Sequence, residues 1–350
     1  MHKQRIYWMD VTRTIAIILV LFIHSWDGVI LSHHHIDNDL KQWVIYQAGH
    51  IIGRVGVPLF YFLSGSLVLT SIYDKDIIQF YKDKIPRFLY LTFVYFLVTN
   101  IFHLYLYRND IHVYALIESL LYGNTLAAYQ LWFMFSIIGL YLIAPFMSRM
   151  VKQLKDKELI ILISLSLMLV NMPNLFYVLF GKNIFLSNIG WDFIGGDITY
   201  FLLGYLVYAR GFLQSTSKAM LILFASSFFF SLLLIQYYLK VTGKMQGEGF
   251  TWYNSILIIM ISFFIFTLLR QVKSPSDTSL MRKSMEYCSR SSFSVFLFHL
   301  IPMTLLFKVF DKINLEEHLK VLLISTMTYL LSLAYYRIIS NSKVLKKILL

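Results

Sequence analysis

Long apolar runs separated by short polar intervals are the dominant pattern along the chain. Ten runs stand out, at roughly 11–31, 52–72, 87–107, 127–148, 158–179, 197–213, 219–239, 251–269, 291–310 and 320–340. Each approaches the ~20 residues with which a helix crosses about 30 Å of hydrocarbon. The pattern therefore predicts an all-α fold, a polytopic transmembrane helix bundle of about ten spans. Asn171-Met172-Pro173-Asn174 interrupts the fifth run, which reads either as one span or as a shorter span followed by an apolar outer loop. The stretch 111–122 is too short to cross and reads as an interfacial helix. No internal repeat, low-complexity tract, cleavable leader or appended soluble domain is expected. The chain reads as a single membrane-embedded domain over 1–350.

Composition agrees. The 350 residues are 58% hydrophobic and 14% charged, with a mean hydropathy of +0.64. A soluble domain averages about 25% charged residues, so this chain lacks the polar surface to face water on all sides. Its net charge of +12 raises the possibility of nucleic acid, but no basic block interleaved with aromatics is present, and no nucleic-acid partner is expected. The cations sit instead in short clusters between apolar runs. With a cytoplasmic N-terminus, 21 of the 31 fall on the inner side and eight on the outer, while Arg13 and Arg54 lie within spans. That asymmetry follows the positive-inside rule. It predicts a multi-pass protein of the cell membrane with both termini cytoplasmic, surrounded by membrane lipids. The single Cys288 excludes an intramolecular disulfide framework and a cysteine zinc cluster. Consecutive His33, His34 and His35 cannot all turn toward one ion, and no metal is expected.

An ionisable group in hydrocarbon costs at least about 2.5 kcal/mol on insertion scales, so each one needs a reason. In the first run Asp10 precedes Arg13 by three positions, and His24 follows Arg13 by eleven. At about 100° per residue, eleven positions make three turns plus roughly 20°, which puts Arg13 and His24 on one helical face about 16 Å apart. Asp10 is placed to pair with Arg13 at i,i+3. For either residue alone the plain alternative is structural: Arg13 snorkelling to the interface, His24 making a packing hydrogen bond. Sharing one face weakens that alternative. In the second run Arg54 is expected at a depth similar to His24. Pro58 is expected to kink or open the helix, with Ser64 and Gly65 permitting close backbone approach. Lys82, Lys84 and Arg87 precede the third run and suit either phosphate binding or a solvated basic loop. His299, following Ser289 to Ser294 and Arg290, is a second intramembrane histidine, as readily a packing residue as a functional one.

These residues carry a resemblance. An Arg, ten residues and a His in the first span, with an acidic residue before them, is the signature of the membrane acyltransferase-3 family, and Asp10, Arg13 and His24 match it. VPLFYFLSG (57–65), LWFMFSIIGLYLIAPF (131–146), GDITYFLLGYL (196–206) and SSFSVFLFHLIP (291–302) are similar to its later segments. RIYWMDVTRTIAI (5–17), the segment around Arg54 and TWY (251–253) look most like the surface-polysaccharide branch, which includes enterobacterial common antigen O-acetyltransferases. The chain departs from the family in having Lys84 and Arg87 where a pair of arginines is usual, and in lacking a fused extracytoplasmic esterase-like domain.

The resemblance implies an O-acyltransferase that moves an acyl group, most simply acetyl, from acetyl-CoA to a sugar hydroxyl of a glycan or lipid-linked glycan. It implies His24, Asp10 and Arg54 as the catalytic set, with Arg13, Lys84 and Arg87 holding the donor's phosphates. His24 would be the general base or would itself accept the acyl group. The rival class is a transporter or flippase for a lipid-linked glycan, which would line a path with the same residues. The paired broken helices typical of such folds are not evident. Oligomeric state is left open.

Overall fold

The computed structural model describes residues 5–33, 40–107, 116, 118–119, 125–181, 195–213, 218–243, 251–276 and 278–350. Among these every regular element is helical. The interfacial helix expected at 111–122 lies outside them apart from 116, 118 and 119, as do His34 and His35. In chain order the helices are α1 (Tyr7–His33), α2 (Leu40–Arg54), α3 (Gly56–Ser71), α4 (Ile77–Tyr107), α5 (Trp132–Gln153), α6 (Asp156–Ser166) and α7 (Met172–Phe180). There follow α8 (Gly195–Ala209), α9 (Lys218–Thr242), α10 (Ile256–Leu269), α11 (Leu280–Phe298), α12 (Leu300–Phe310), α13 (Glu317–Asn341) and α14 (Lys343–Leu349).

Each of the ten apolar runs falls largely on these helices. Among the described residues six continuous stretches are long and apolar enough to cross a membrane: Tyr7–Ile30, Val44–Ser71, Ile77–Tyr107, Leu126–Gln153, Asp156–Phe180 and Glu317–Asn341. The pair α11–α12, bent by 69°, would make a seventh as one broken span. The 15 residues of α8, the apolar part of α9 (Ile222–Ile235) and the 14 of α10 are shorter. Only 22% of the apolar window of Glu317–Asn341 is buried within the protein, against 72% for Val44–Ser71. An apolar helix left so bare needs a lipid solvent, and this is a multi-pass membrane protein.

Of the two expectations about breaks, the fifth run resolves to the one-span alternative and the Pro58 kink is corrected. The fifth run is helical through Asn171–Asn174, with a π-turn at Leu167–Asn171 leading into α7. Pro173 sits in the first turn of α7, where its missing N–H costs little, so no loop is needed. In the second run the break falls at Val55, between α2 and α3. Pro58 again lies in a first turn and helps start α3 rather than kinking it.

The chain divides into two compact units, one of residues 1–74 and 144–289, the other of 75–143 and 290–350. In the first, α3 and α8 meet at two glycines. A Cβ at Gly65 would strike the Phe201 carbonyl, and one at Gly204 would strike that of Phe62. The contact is sealed by Ser66, not Ser64: its hydroxyl donates to the carbonyls of Phe62 and Gly204, each at 2.8 Å. Gly53 and Gly56 likewise press the α2–α3 junction onto α1 at Ile23 and at Ala16 and Val20. Without hydrophobic pressure between helices in lipid, such close backbone approach supplies the packing energy. In the second unit the hydroxyls of Tyr95 and Tyr335 lie 2.9 Å apart, and Phe298 stacks on Tyr335 at 3.8 Å.

Candidate functional site

The first unit carries two polar clusters, one at each end of α1. Asp10 lies in the first turn of that helix, where the exposed amide dipoles favour an anion. It is 4% exposed, and its carboxylate is fully engaged. Arg5 grips it as a two-pronged fork, Nη2 to Oδ1 at 2.5 Å and Nε to Oδ2 at 3.2 Å. The Ser289 hydroxyl donates to Oδ1 at 2.6 Å, and Arg13 stands 3.6 Å away in the expected i,i+3 pairing. The arginines keep about a third of their side chains open, 34% for Arg5 and 29% for Arg13. Both line a cavity of about 340 Å³ together with Asp10, Ile6, Met9, Leu67, Thr70 and Tyr208. The carboxylate is thus spent inside the protein while the positive charge faces the cavity.

From Arg13 the helix runs without a break to half-buried His24, so the three-turn spacing holds along α1. Arg54 is in the last turn of α2, where the helix dipole favours a cation. Its predecessor Gly53 lies against Ile23, the predecessor of His24, which brings Arg54 and His24 to one level of the fold. The Arg54 guanidinium stands over the rings of Trp252 and Tyr253, 4.8 and 4.9 Å from their centroids.

The second cluster begins three residues beyond His24. Asp27 Oδ1 is 2.7 Å from His50 Nε2, with 29% of the Asp27 side chain exposed and 4% of that of His50. Trp26 fixes the geometry: its indole N–H donates to the Tyr46 carbonyl at 3.2 Å, and its ring lies where a Cβ on Gly49 would have to be. The segment carrying Trp252 and Tyr253 is held from three sides. The Tyr200 hydroxyl donates to the Tyr253 carbonyl at 2.6 Å, and the Asn171 amide to that of Asn254 at 2.9 Å. Ser255 then caps α10.

In the second unit, half-buried Arg87 donates from Nη1 to the Lys347 carbonyl at 2.9 Å. With Tyr90, Lys343, Val344, Lys347 and Ile348 it lines an open cavity of about 600 Å³. Lys84, one turn earlier on α4, is exposed. Fully buried His299 sits at the bend between α11 and α12, its Nδ1 2.7 Å from the Phe296 carbonyl.

Several participants escaped the sequence reading. Arg5, one of the 21 inner-side cations in the charge count, is the closest partner of Asp10. Ser289 is 279 positions from Asp10, and no local pattern links them. Lys343 and Lys347 were read as topology signals. His50 could have been found, since it lies four residues before Arg54, on the same face of α2.

A family model described as an acyltransferase domain matches residues 6–337. The chain belongs to the acyltransferase-3 family. No curated protein and no solved structure matches it significantly. For an acyltransferase the site divides sensibly. A cation-lined cavity suits an anionic group at one end of α1, a half-buried imidazole lies midway, and a half-exposed carboxylate with aromatic neighbours lies at the other end.

Proposed function

We propose that this membrane acyltransferase moves an acetyl group from acetyl-CoA to a sugar hydroxyl of a surface polysaccharide or its lipid-linked precursor. The observation that carries the reading is the arrangement along α1, with buried Asp10 holding Arg5 and Arg13 at the wall of a cavity and His24 on the arginine's face three turns on. Guanidinium forks match phosphate oxygens in geometry and charge. They are open to the cavity here, so the residues present fit a phosphorylated donor. In the second unit Arg87, Lys343 and Lys347 fit the same chemistry, with Lys84 nearby on α4. The charge asymmetry supports a cytoplasmic position for the Arg13 end of α1, the side on which acyl-CoA is found.

Acetyl-CoA supplies an activated acyl thioester. His24, as a neutral imidazole, takes the proton from the acceptor hydroxyl as that oxygen bonds to the acyl carbon. Collapse then breaks the C–S bond, and His24 gives the proton to the departing CoA thiolate. Arg54, at the same level, offers positive charge to the oxyanion that develops on the acyl carbonyl. Asp10 acts from behind, fixing the arginines. The surface-polysaccharide assignment rests on the likeness of residues 5–17, the segment around Arg54 and 251–253 to that branch of the family.

The direct test combines two measurements. Detergent-purified protein should bind acetyl-CoA, and glycans from cells with the gene should carry an acetyl mass that is missing from cells without it. Identical glycan masses in the two strains would overturn the acceptor assignment, and absence of donor binding would overturn the reaction.

A further inference from the structure

The cluster at the C-terminal end of α1 is left unused by the donor-binding reading, and its chemistry points elsewhere. In the Asp27–His50 pair it is the imidazole that is sealed in and the carboxylate that is open. A carboxylate accepts hydrogen bonds and donates none, so an open one held from behind by His50 is suited to hydroxyl groups. One turn along α2 from His50 stands Arg54, whose guanidinium covers the ring of Trp252. Its Nε is buried and makes no hydrogen bond. Trp252 itself remains 50% exposed. Tyr253 lies within the electrostatic reach of both Arg54 and Asp27, which ties the pair and the aromatic segment into one neighbourhood.

We propose that Asp27 and Trp252, with Arg54 backing the indole, form the subsite that holds the acceptor as a neutral pyranose with free hydroxyls. The proposal deepens the acyl-transfer reading and rests on it for the word acceptor. A pyranose presents hydroxyls around its edge and C–H groups on its faces, and the subsite offers a carboxylate for the first and an indole for the second. The opposite charges of Asp27 and Arg54 cancel, which favours an uncharged ligand over a phosphate. Three fixed points, at Tyr200, Asn171 and Ser255, hold the Trp252 segment in place, so little ordering cost falls on binding. A tryptophan serving only as a membrane-interface anchor would need neither the guanidinium on its face nor an open carboxylate set against His50, one helical turn from that guanidinium along α2.

The test uses the full chain in lipid nanodiscs. Methyl glycosides of neutral hexoses, deoxyhexoses and N-acetylhexosamines are screened by saturation-transfer NMR, and acetyl-CoA binding is followed by calorimetry. At least one glycoside should bind the wild type. Asp27→Asn and Trp252→Ala should each weaken it about tenfold or more, the scale of one lost charge-assisted hydrogen bond or stacking contact, with acetyl-CoA affinity unchanged. His50→Gln, which keeps a polar end beside Asp27, should bind better than His50→Ala; equal loss in both would mean that His50 only fills space. Binding of acetyl-CoA but of no glycoside overturns the subsite, and so does glycoside binding that both Asp27→Asn and Trp252→Ala leave intact. Parallel loss of donor and glycoside in Trp252→Ala would show a membrane anchor instead. A wild type that binds glycosides through these residues but not acetyl-CoA would keep the sugar subsite and overturn the transfer reading.

Discussion

The two ends of α1 carry the same kind of pair arranged in opposite senses. At the N-terminal end the carboxylate is hidden, with Asp10 5% exposed, while its partners Arg5 and Arg13 are 34% and 29% exposed. At the C-terminal end the base is hidden, with His50 4% exposed, and Asp27 is 29% exposed. Which member of a pair is left open decides what it can bind. Open guanidiniums call for an anion, whereas an open carboxylate calls for hydroxyl donors. A single helix thus presents donor-type and acceptor-type chemistry at separate levels.

The largest effect should come from the residue between them. If His24 moves the proton, His24→Gln keeps the size and a hydrogen-bonding end but removes the base. Transfer should then fall by roughly two to four orders of magnitude, with acetyl-CoA and glycoside binding both retained. Substantial residual transfer would return His24 to packing and leave the two ends without a shared centre. His299 is the natural control. It is fully buried with Nδ1 on a backbone carbonyl at a helix bend, so His299→Gln should lower the yield of assembled protein more than it lowers the rate per molecule.

The next effect is on stability and should be unequal at the two ends. Asp10→Ala leaves two arginines and Ser289 around a missing anion. A fully buried pair broken this way costs about 3–5 kcal/mol. With a third of each arginine in solvent, about 2 kcal/mol is the better expectation. Asp27→Ala removes one short polar contact of a buried imidazole and should cost about 1 kcal/mol. Thermal unfolding in one detergent should therefore rank wild type, Asp27→Ala and Asp10→Ala in falling order. The reverse order would mean that the hidden and open members have been misassigned.

That contrast also separates what the sequence discloses from what it conceals. Helices were legible because lipid leaves the backbone no other way to satisfy its own polar groups, so an apolar run of the right length means a helix. The Asp10–Arg13 contact and the common face of Arg13 and His24 follow from helical periodicity, a local rule that needs no tertiary knowledge. Local rules fail where partners come from distant segments. Nothing near Asp10 announces Ser289, and nothing near Arg54 announces Trp252, because helix packing made those neighbours. The misplacement of Ser64 for Ser66 has the same origin. Two serines flanking Gly65 are equivalent until it is known that α8 approaches the Ser66 side of α3. Pro58 was read as a kink because its position relative to the helix start was unknown.

A smaller effect tests whether the N-terminal end binds by geometry or by charge alone. Arg13→Lys keeps the charge and loses the planar fork. The acetyl-CoA KM should rise by about tenfold or less, while kcat at saturating donor changes little, because the interaction holds ground state and transition state alike. Glycoside affinity should not move. A fall in kcat with KM unchanged would place Arg13 at the reacting carbonyl instead, contrary to the separation of about 16 Å along the helix.

The smallest effect needs no mutation. Raising the ionic strength shortens the Debye length from about 10 Å at 0.1 M to about 3 Å at 1 M. Attraction between a phosphorylated donor and the half-exposed Arg5 and Arg13 should weaken accordingly, and the acetyl-CoA KM should climb several-fold. A neutral sugar at Asp27 and Trp252 carries no charge to screen, and the hydrogen bonds and stacking that hold it are short-ranged. Its KM should stay flat across the same range. Parallel salt dependence of the two constants would mean that the open carboxylate meets a charged acceptor. A hexosamine with a free ammonium group would then replace the neutral pyranose as the ligand to test first.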